Sequence, residues 1–467
     1  MTVTDRIASL EMELALTAIA RDGRQRNRAR DVCAFMAAAA QTQPHLGGYY
    51  SSGIWLRNGS RLYPDVGDHA EFSLPECQNP WDVVRYQLAA ERIVSGAAQR
   101  MKSLDGSIAD VMVFKNNVDY QTGATWGSHE AYSHRCSTEA LPAQIIPHLV
   151  ARIIFTGAGG FNPFSPGLEF TLSPRAWHLA HVVSPVTTAY RGIYNTKEEN
   201  LTTKWKRLHL ICGESLSSEI AAYLRVATTA LVVAMAEGGL APGDGVALAH
   251  PLAALHSFAR DPTCKAQVLS TRGESLAALQ IERHYLRLAE EHARDPFMPP
   301  WAEAACLHWR TMLDRLERGA PDSVAGTLDW AIKWSLYRRR CERRGIRWNG
   351  VAAEQCPALW PVRAELQEAD ARFGQITGGG IFAALDRAGA LAHHVPGVDD
   401  IERAVEHPPT AGRARLRGEC VRQFAACGQR YAAEWQGVWD RKERRMLDLD
   451  DPFESVARWR QVEEVRA

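Results

Sequence analysis

Two glutamates set inside an apolar stretch, Leu10-Glu11-Met12-Glu13-Leu14-Ala15-Leu16, constrain this chain more than any other feature. In a β-strand successive side chains point to opposite faces, so Glu11 and Glu13 share one face and Leu10, Met12, Leu14 and Leu16 line the other. An edge strand with a solvated face would read the same way if it stood alone. A second acidic strand argues against that. Arg61-Leu62-Tyr63-Pro64-Asp65 sets Arg61, Tyr63 and Asp65 on a single face, and after a short turn Ala70-Glu71-Phe72-Ser73 adds Glu71. Carboxylates gathered on a buried sheet face repel one another, and a hard cation relieves that repulsion. Magnesium is the natural guest, since it takes oxygen ligands, keeps several waters and usually brings a nucleotide phosphate. A concave acidic sheet with an arginine beside it is therefore a candidate nucleotide site that needs no glycine-rich loop.

The other motifs fail on spacing. There is no Gly-x4-Gly-Lys-Ser/Thr run, which excludes a P-loop. The glycines of Thr156-Gly-Ala-Gly-Gly160 do not complete Gly-x-Gly-x-x-Gly and follow a helical pattern, so they read as a turn. In His129-Glu130-Ala-Tyr-Ser-His134 the histidines are five apart, which does not place them on one helix face as zinc-protease chemistry requires. Gly213-Glu-Ser215-Leu-Ser217 lacks the second glycine of a nucleophile elbow.

Charge and cysteine usage narrow the setting. The 54 Lys and Arg are cancelled by 54 Asp and Glu, so no global field favours nucleic acid or an anionic membrane. The 10 cysteines include no Cys-x-x-Cys pair and read as reduced thiols in a cytoplasmic protein. The longest apolar-rich stretch, residues 226–236, is about half of what a bilayer crossing needs. Strand patterns are expected at residues 6–16, 53–56, 61–65, 70–73, 110–114, 167–172 and 207–212. Helical patterns cover 27–40, 81–103, 143–155 and 217–237, followed by long charged helices at 276–294, 301–318 and 326–344. The segments 378–380 and 395–409 read as loops. Asn58-Gly59 is a strong hairpin signal. The arrangement predicts an α+β fold with a large catalytic domain at 1–410 and a small C-terminal domain at 411–467.

Taken together, Asn58-Gly-Ser-Arg61-Leu-Tyr-Pro-Asp65-Val-Gly-Asp-His-Ala-Glu71, Phe114-Lys-Asn-Asn-Val-Asp119, Trp126-Gly-Ser-His129-Glu130, Trp205-Lys-Arg-Leu-His-Leu-Ile-Cys-Gly213 and Arg413-Ala-Arg-Leu-Arg-Gly-Glu419 resemble the family of Pup ligases and depupylases. These enzymes attach or remove the prokaryotic ubiquitin-like protein Pup. The spacing from Asp65 to Glu71, the short stretch before Asn58 and Asp451-Pro-Phe-Glu-Ser455 look more like the ligase. The resemblance implies a glutamine-synthetase-like curved antiparallel sheet backed by helices, with ATP in the sheet cradle. It also implies Glu11, Tyr63 and Glu71 as magnesium ligands, Asp65 as catalytic base, Arg61 as an ATP contact, and Trp435 as a second one unless Trp439 takes that place. His129 matches a glycine-histidine motif that supplies a metal ligand in such enzymes, although a histidine satisfied within a strand reads the same way. Glu13 joins the candidate metal ligands through its shared face with Glu11.

Departures from the family pattern sit on the substrate side. Leu74 replaces a threonine that touches ATP, Ala131 replaces an asparagine, and Lys197, Asn200 and Leu201 stand where the family has arginine, proline and histidine. The implied reaction is ATP-dependent ligation of a carboxylate to an amine through an acyl phosphate, with Pup or a Pup-like carrier ending in glutamate, or an altered carrier or small-molecule substrate, and an amine acceptor that is a protein lysine or a small molecule. A depupylase-type hydrolase and a non-catalytic ATP-binding relative remain as alternatives.

Overall fold

The computed structural model describes residues 6–24, 26–165, 167–197, 201–350 and 359–462. The opening alternation becomes β1 (Ala8–Ala20), longer than the spacing predicts, with Leu10, Met12, Leu14 and Leu16 buried and Glu11 and Glu13 only partly so. Around it form β2 (His45–Gly47), β3 (Ile54–Leu56), β4 (Arg61–Asp65), β5 (His69–Ser73), β6 (Ile108–Phe114), β7 (Ser128–His134) and β8 (Lys206–Leu210). They make one eight-stranded sheet in the order β8-β7-β1-β5-β4-β3-β2, with β6 on the second half of β1. Every pairing in it is antiparallel.

The β3–β4 hairpin closes on Asn58-Gly59 as expected. Gly59 takes φ +84, which glycine adopts without strain, and Asn58 Oδ1 accepts the Ser60 N–H at 3.1 Å. The apolar face of β1 packs against α1 (Arg28–Thr42) and α2 (Pro80–Leu104) through Phe35, Val83, Ala90 and Ile93. Asn27 and Asn79 cap these helices by accepting the N–H groups of Arg30 and Asp82. Further back lie α3 (Leu141–Ala151), α4 (Glu219–Glu237), α5 (Ala278–Glu291), α6 (Ala302–Gly319) and α7 (Asp329–Arg343). At nineteen residues α4 is long and apolar enough to cross a bilayer, but 89% of its apolar window is buried inside the protein, so it is a core helix.

Several local expectations need correction. The strand expected at 167–172 shrinks to Phe170–Thr171, paired with Gly160–Phe161, because its surroundings are held by loop contacts such as Phe170 N–H to Gly350 O. Within the expected loop at 395–409 lies the short helix Ile401–Glu406. The parallel pair Leu179–Ser184 and Arg191–Asn195, and the helix Trp360–Phe373, carried no clear periodic signal.

The chain ends in α8 (Gly412–Phe424) and a four-stranded antiparallel sheet of β9 (Tyr431–Glu434), β10 (Gly437–Asp440), β11 (Arg445–Asp448) and β12 (Trp459–Gln461). These elements share a second apolar core of Leu416, Val421, Val438 and Leu447, which also takes in Leu46 and Trp55 from the large sheet. The α+β expectation therefore holds, with an antiparallel sheet backed by helices and a small C-terminal sheet.

Candidate active site

Residues directly opposite one another in an antiparallel pair point to the same face. Glu11 lies opposite Ser73 on β5 and opposite His129 on β7, and Ser73 lies opposite Arg61 on β4. One row across the sheet is therefore Arg61, Ser73, Glu11, His129. The next row is Tyr63, Glu71, Glu13, and beyond it Asp65 faces His69. On the other side Ser9, Ala131 and His209 form a third row. Register alone thus collects Glu11, Glu13, Asp65 and Glu71 on one sheet face with Tyr63, His129 and His209.

The contacts within this cradle are close. Tyr63 and Ser73 both donate hydrogen bonds to Glu11 Oε1, the latter at 2.7 Å. His129 bridges the two rows, with Nδ1 3.4 Å from Glu11 Oε2 and Nε2 3.4 Å from Glu13 Oε1. Glu13 also accepts the Gly127 N–H at 2.5 Å. Burial pushes the Glu11 carboxyl up, but the His129 hydrogen bond and the charges of Arg207, His129 and His209 outweigh it and hold it well below the carboxylate range. Glu71 goes the other way: burial and the neighbouring Glu11, Glu13 and Asp65 charges push it well above that range. Burial, then Glu11 and Glu71, also keep the Tyr63 phenol protonated. Glu71 Oε1 is buried with no hydrogen-bond partner, and neither ring nitrogen of the buried His209 has one. Glu71 Oε1 has only the His129 Nδ1 contact at 3.7 Å, and a buried carboxylate oxygen among three other carboxylates could serve as a cation ligand.

Arg61 stands at the end of the first row. Its Nη2 donates to Ser51 Oγ at 2.7 Å and to Ser52 O at 2.9 Å, and its guanidinium lies 4.3 Å from the Tyr63 ring centroid. Asp65 is at the rim, with 38% of its side chain exposed and Oδ2 3.6 Å from His69 Nε2. A cleft of about 580 Å³ opens beside the cradle, lined by Ser9, Glu11, His129 and Arg207 from the sheet and by Arg413 and Trp435 from the C-terminal elements. Trp435 meets Trp55 edge-on at 4.8 Å. Trp439 is buried away from this cleft, stacked on Tyr49 at 4.6 Å.

The structure therefore brings Glu11, Glu13, Arg61, Tyr63, Asp65, Glu71 and His129 onto one face and sets Trp435 at its edge. The His129-Glu130 motif splits: Glu130 points the other way into a buried bidentate pair with Arg152 at 2.6 and 2.9 Å. Leu74 is buried, and its carbonyl accepts the Ser9 hydroxyl at 2.9 Å. Of the divergent segment at 197–201, Glu198, Glu199 and Asn200 lie outside the described residues. Leu201 borders the cleft, and its carbonyl accepts from Arg413 at 2.8 Å. Sequence reading did not assign Ser73, Arg207 or His209 to the site. The period-two spacing of Arg207 and His209 was the available signal, but it points to the cradle only once β8 is known to pair with β7.

The chain is similar to known proteins along nearly its whole length. Residues 3–439 match the family model described as Pup-ligase protein. A Pup–protein ligase of Brachybacterium faecium is 34% identical over 99% of this chain and 97% of its own length. A Pup deamidase/depupylase of Mycolicibacterium smegmatis is 38% identical over 82% of this chain and 74% of its own. The solved complex of Pup with its ligase PafA superposes with a TM-score of 0.80 at 26% identity, over 97% of this chain and 91% of that one. The PafA structure with ADP gives 0.73 at 28% identity, over 87% and 88%.

Proposed function

This chain belongs to the Pup-ligase family, and from that premise we propose that its acidic cradle uses magnesium and ATP to activate a glutamate-type carboxylate of a Pup-like carrier and joins it to an amine. The protein is an ATP-dependent carboxylate-amine ligase that binds nucleotide. One observation supports this use of the cradle above the rest: strand register gathers Glu11, Glu13, Asp65 and Glu71 on one face and leaves Glu71 Oε1 buried without a hydrogen bond, 3.7 Å from His129 Nδ1.

ATP supplies the phosphoryl group that turns the unreactive carboxylate into an acyl phosphate, from which an attacking amine expels phosphate. Glu11, Tyr63 and Glu71, with Glu13 and His129 beside them, would hold the magnesium that neutralises phosphate charge. Arg61, anchored by Ser51 and Ser52, presents its guanidinium at the nucleotide end of the cradle. Trp435 offers an aromatic wall on the far side of the cleft. Asp65 removes the proton from the incoming amine. A lysine of pKa about 10.4 is neutral in only about one molecule in 2,500 at pH 7, so a base at the attack position is needed. The partial exposure of Asp65 at the rim suits an acceptor that arrives from solvent. We place the boundary between the catalytic and C-terminal domains near residue 410, just ahead of α8.

The carrier side has shifted. The substitutions to Lys197, Asn200 and Leu201 alter charge geometry and hydrogen-bonding chemistry in this segment, of which Leu201 borders the cleft, while the cradle retains its residue types. We therefore assign a preference for a carrier other than ordinary Pup. The test is ATP-dependent conjugation with ordinary Pup and, separately, with a lysate, read by mass spectrometry. ATP-dependent adducts carried by a different glutamate-ending partner are the expected result. Efficient ligation of ordinary Pup to general protein lysines overturns the shifted preference and leaves the ligase. Release of Pup from conjugates, with no adducts formed, would favour the hydrolase reading suggested by the depupylase identity.

A further inference from the structure

A second convergence of metal-binding side chains, sharing no residue with the cradle, lies where residues 386–395 cross the N-terminus of α4. Glu219 opens that helix, and its side chain is buried. Its Oε2 accepts the Val395 N–H at 3.0 Å, and its Oε1 lies 2.8 Å from His394 Nδ1. His393 and His394 are neighbours in sequence, and in an extended chain neighbouring side chains diverge. Here their rings lie together, 4.2 Å apart and tilted by 37°.

The reason for that pairing is Asp386. His393 Nε2 lies 3.0 Å and His394 Nε2 3.3 Å from the same oxygen, Asp386 Oδ1. An ionised carboxylate only accepts, so His393 Nε2 carries a proton and its Nδ1 keeps the lone pair; His394 has a carboxylate at each ring nitrogen, Asp386 at Nε2 and Glu219 at Nδ1, and its Nδ1 becomes a metal donor on giving up its proton. Both Nδ1 atoms face Glu219. His393 Nδ1 accepts the Glu219 N–H at 3.3 Å, a bond that a metal on this nitrogen would displace, and the ligand atoms of Glu219, His393 and His394 all lie within 4.8 Å of one another.

We propose that Glu219, His393 and His394 bind a divalent transition metal, zinc foremost, with Asp386 orienting both rings from the far side. Two imidazoles and one carboxylate are the donor set of three-ligand zinc sites that keep a fourth, water-filled position. Nitrogen donors favour zinc over magnesium, which prefers oxygen throughout. A carboxylate that takes the second N–H of a ligating histidine is the usual outer partner, and Asp386 serves two rings at once. Access is open, because 63% of the His394 side chain is exposed while that of His393 is only 3% exposed. Bound zinc would staple residues 386–395 to α4. The rival occupant is a proton on His394 Nδ1, which would satisfy Glu219 with no metal.

The cradle also holds imidazole and carboxylate groups, so the test must separate the two places. The full chain, saturated with Mg-ATP, is dialysed against micromolar zinc, and bound metal per chain is counted by plasma mass spectrometry. One equivalent should be retained in H129A, which removes a cradle group, and lost in H394Q. D386N should keep both ligating rings yet bind about 10- to 100-fold more weakly. Cobalt(II) in place of zinc should give the intense visible bands of a tetrahedral site in the wild type and not in H394Q. Unchanged zinc binding in H394Q, loss of the zinc with H129A alone, or wild-type affinity in D386N would each overturn the assignment. His394 is surface-exposed, and the Mg-ATP melting shift of H394Q verifies that the variant is folded.

Discussion

Replacing Glu76 with glutamine should loosen the C-terminal elements from the large sheet. Glu76 follows β5 and lies buried between two buried arginines of α8. Arg413 Nε donates to its Oε1 at 2.6 Å, and Arg417 Nη2 donates to its Oε2. Burial pushes this carboxyl up, but the Arg417 and Arg413 charges outweigh it and bring it from 4.5 down to about 2. At 1.36 kcal/mol per tenfold change in proton affinity, that drop corresponds to about 3 kcal/mol. Breaking a buried pair by removing one partner costs about 3–5 kcal/mol, and glutamine still accepts from one arginine, so about 3 kcal/mol is the expected loss near neutral pH. The pH dependence has a definite sign. Folding favours the ionised form, so the contribution is complete above 4.5, shrinks as pH falls from 4.5 toward 2, and is absent below that. The stability gap between wild type and E76Q should therefore be constant from pH 7 to about 5.5 and about 1 kcal/mol smaller at pH 4. Urea unfolding followed by tryptophan fluorescence at several pH values measures it. A gap under about 0.5 kcal/mol at neutral pH, or one that widens in acid, would refute the reasoning.

Three further outcomes follow from the cradle. Glu11→Gln and Glu71→Gln keep side-chain shape but remove charge, so the thermal shift produced by Mg-ATP should shrink in both; an unchanged shift in both variants would sink their role as cation ligands. Asp65→Asn should lose about 10²- to 10⁴-fold in turnover, the usual worth of a general base, while nucleotide titration stays near wild type. Lost nucleotide binding would instead make Asp65 part of the cation site. Trp435→Ala should weaken ATP binding, whereas Trp439→Ala, which removes the stack on Tyr49, should mainly lower stability by about 3–5 kcal/mol. Equal effects of the two on nucleotide affinity would contradict the placement of Trp435 at the cleft.

What was legible in the sequence was whatever depends on residues a few positions apart. Period two placed Glu11 with Glu13 and Arg61 with Tyr63 and Asp65, because a strand alternates faces wherever it is packed. Asn58-Gly59 announced its hairpin because glycine accepts the φ of +84 that the turn demands. The apolar run at 226–236 stops at Arg225 and is too short to cross a bilayer, yet Arg225 is itself buried within α4, so the helix expected at 217–237 forms as one long core helix. Tertiary structure alone decided the rest. His129 is 118 residues from Glu11, and Arg413 is 337 from Glu76. Such partners are chosen by strand register and by which apolar faces cover each other, quantities that no local pattern contains. The polar strand Ser128–His134 makes this plain: its composition does not mark it as a strand, and it becomes one because the edge of β1 supplies its hydrogen bonds. The sequence determined which side chains could share a face, and the packing of the large sheet decided that those faces meet.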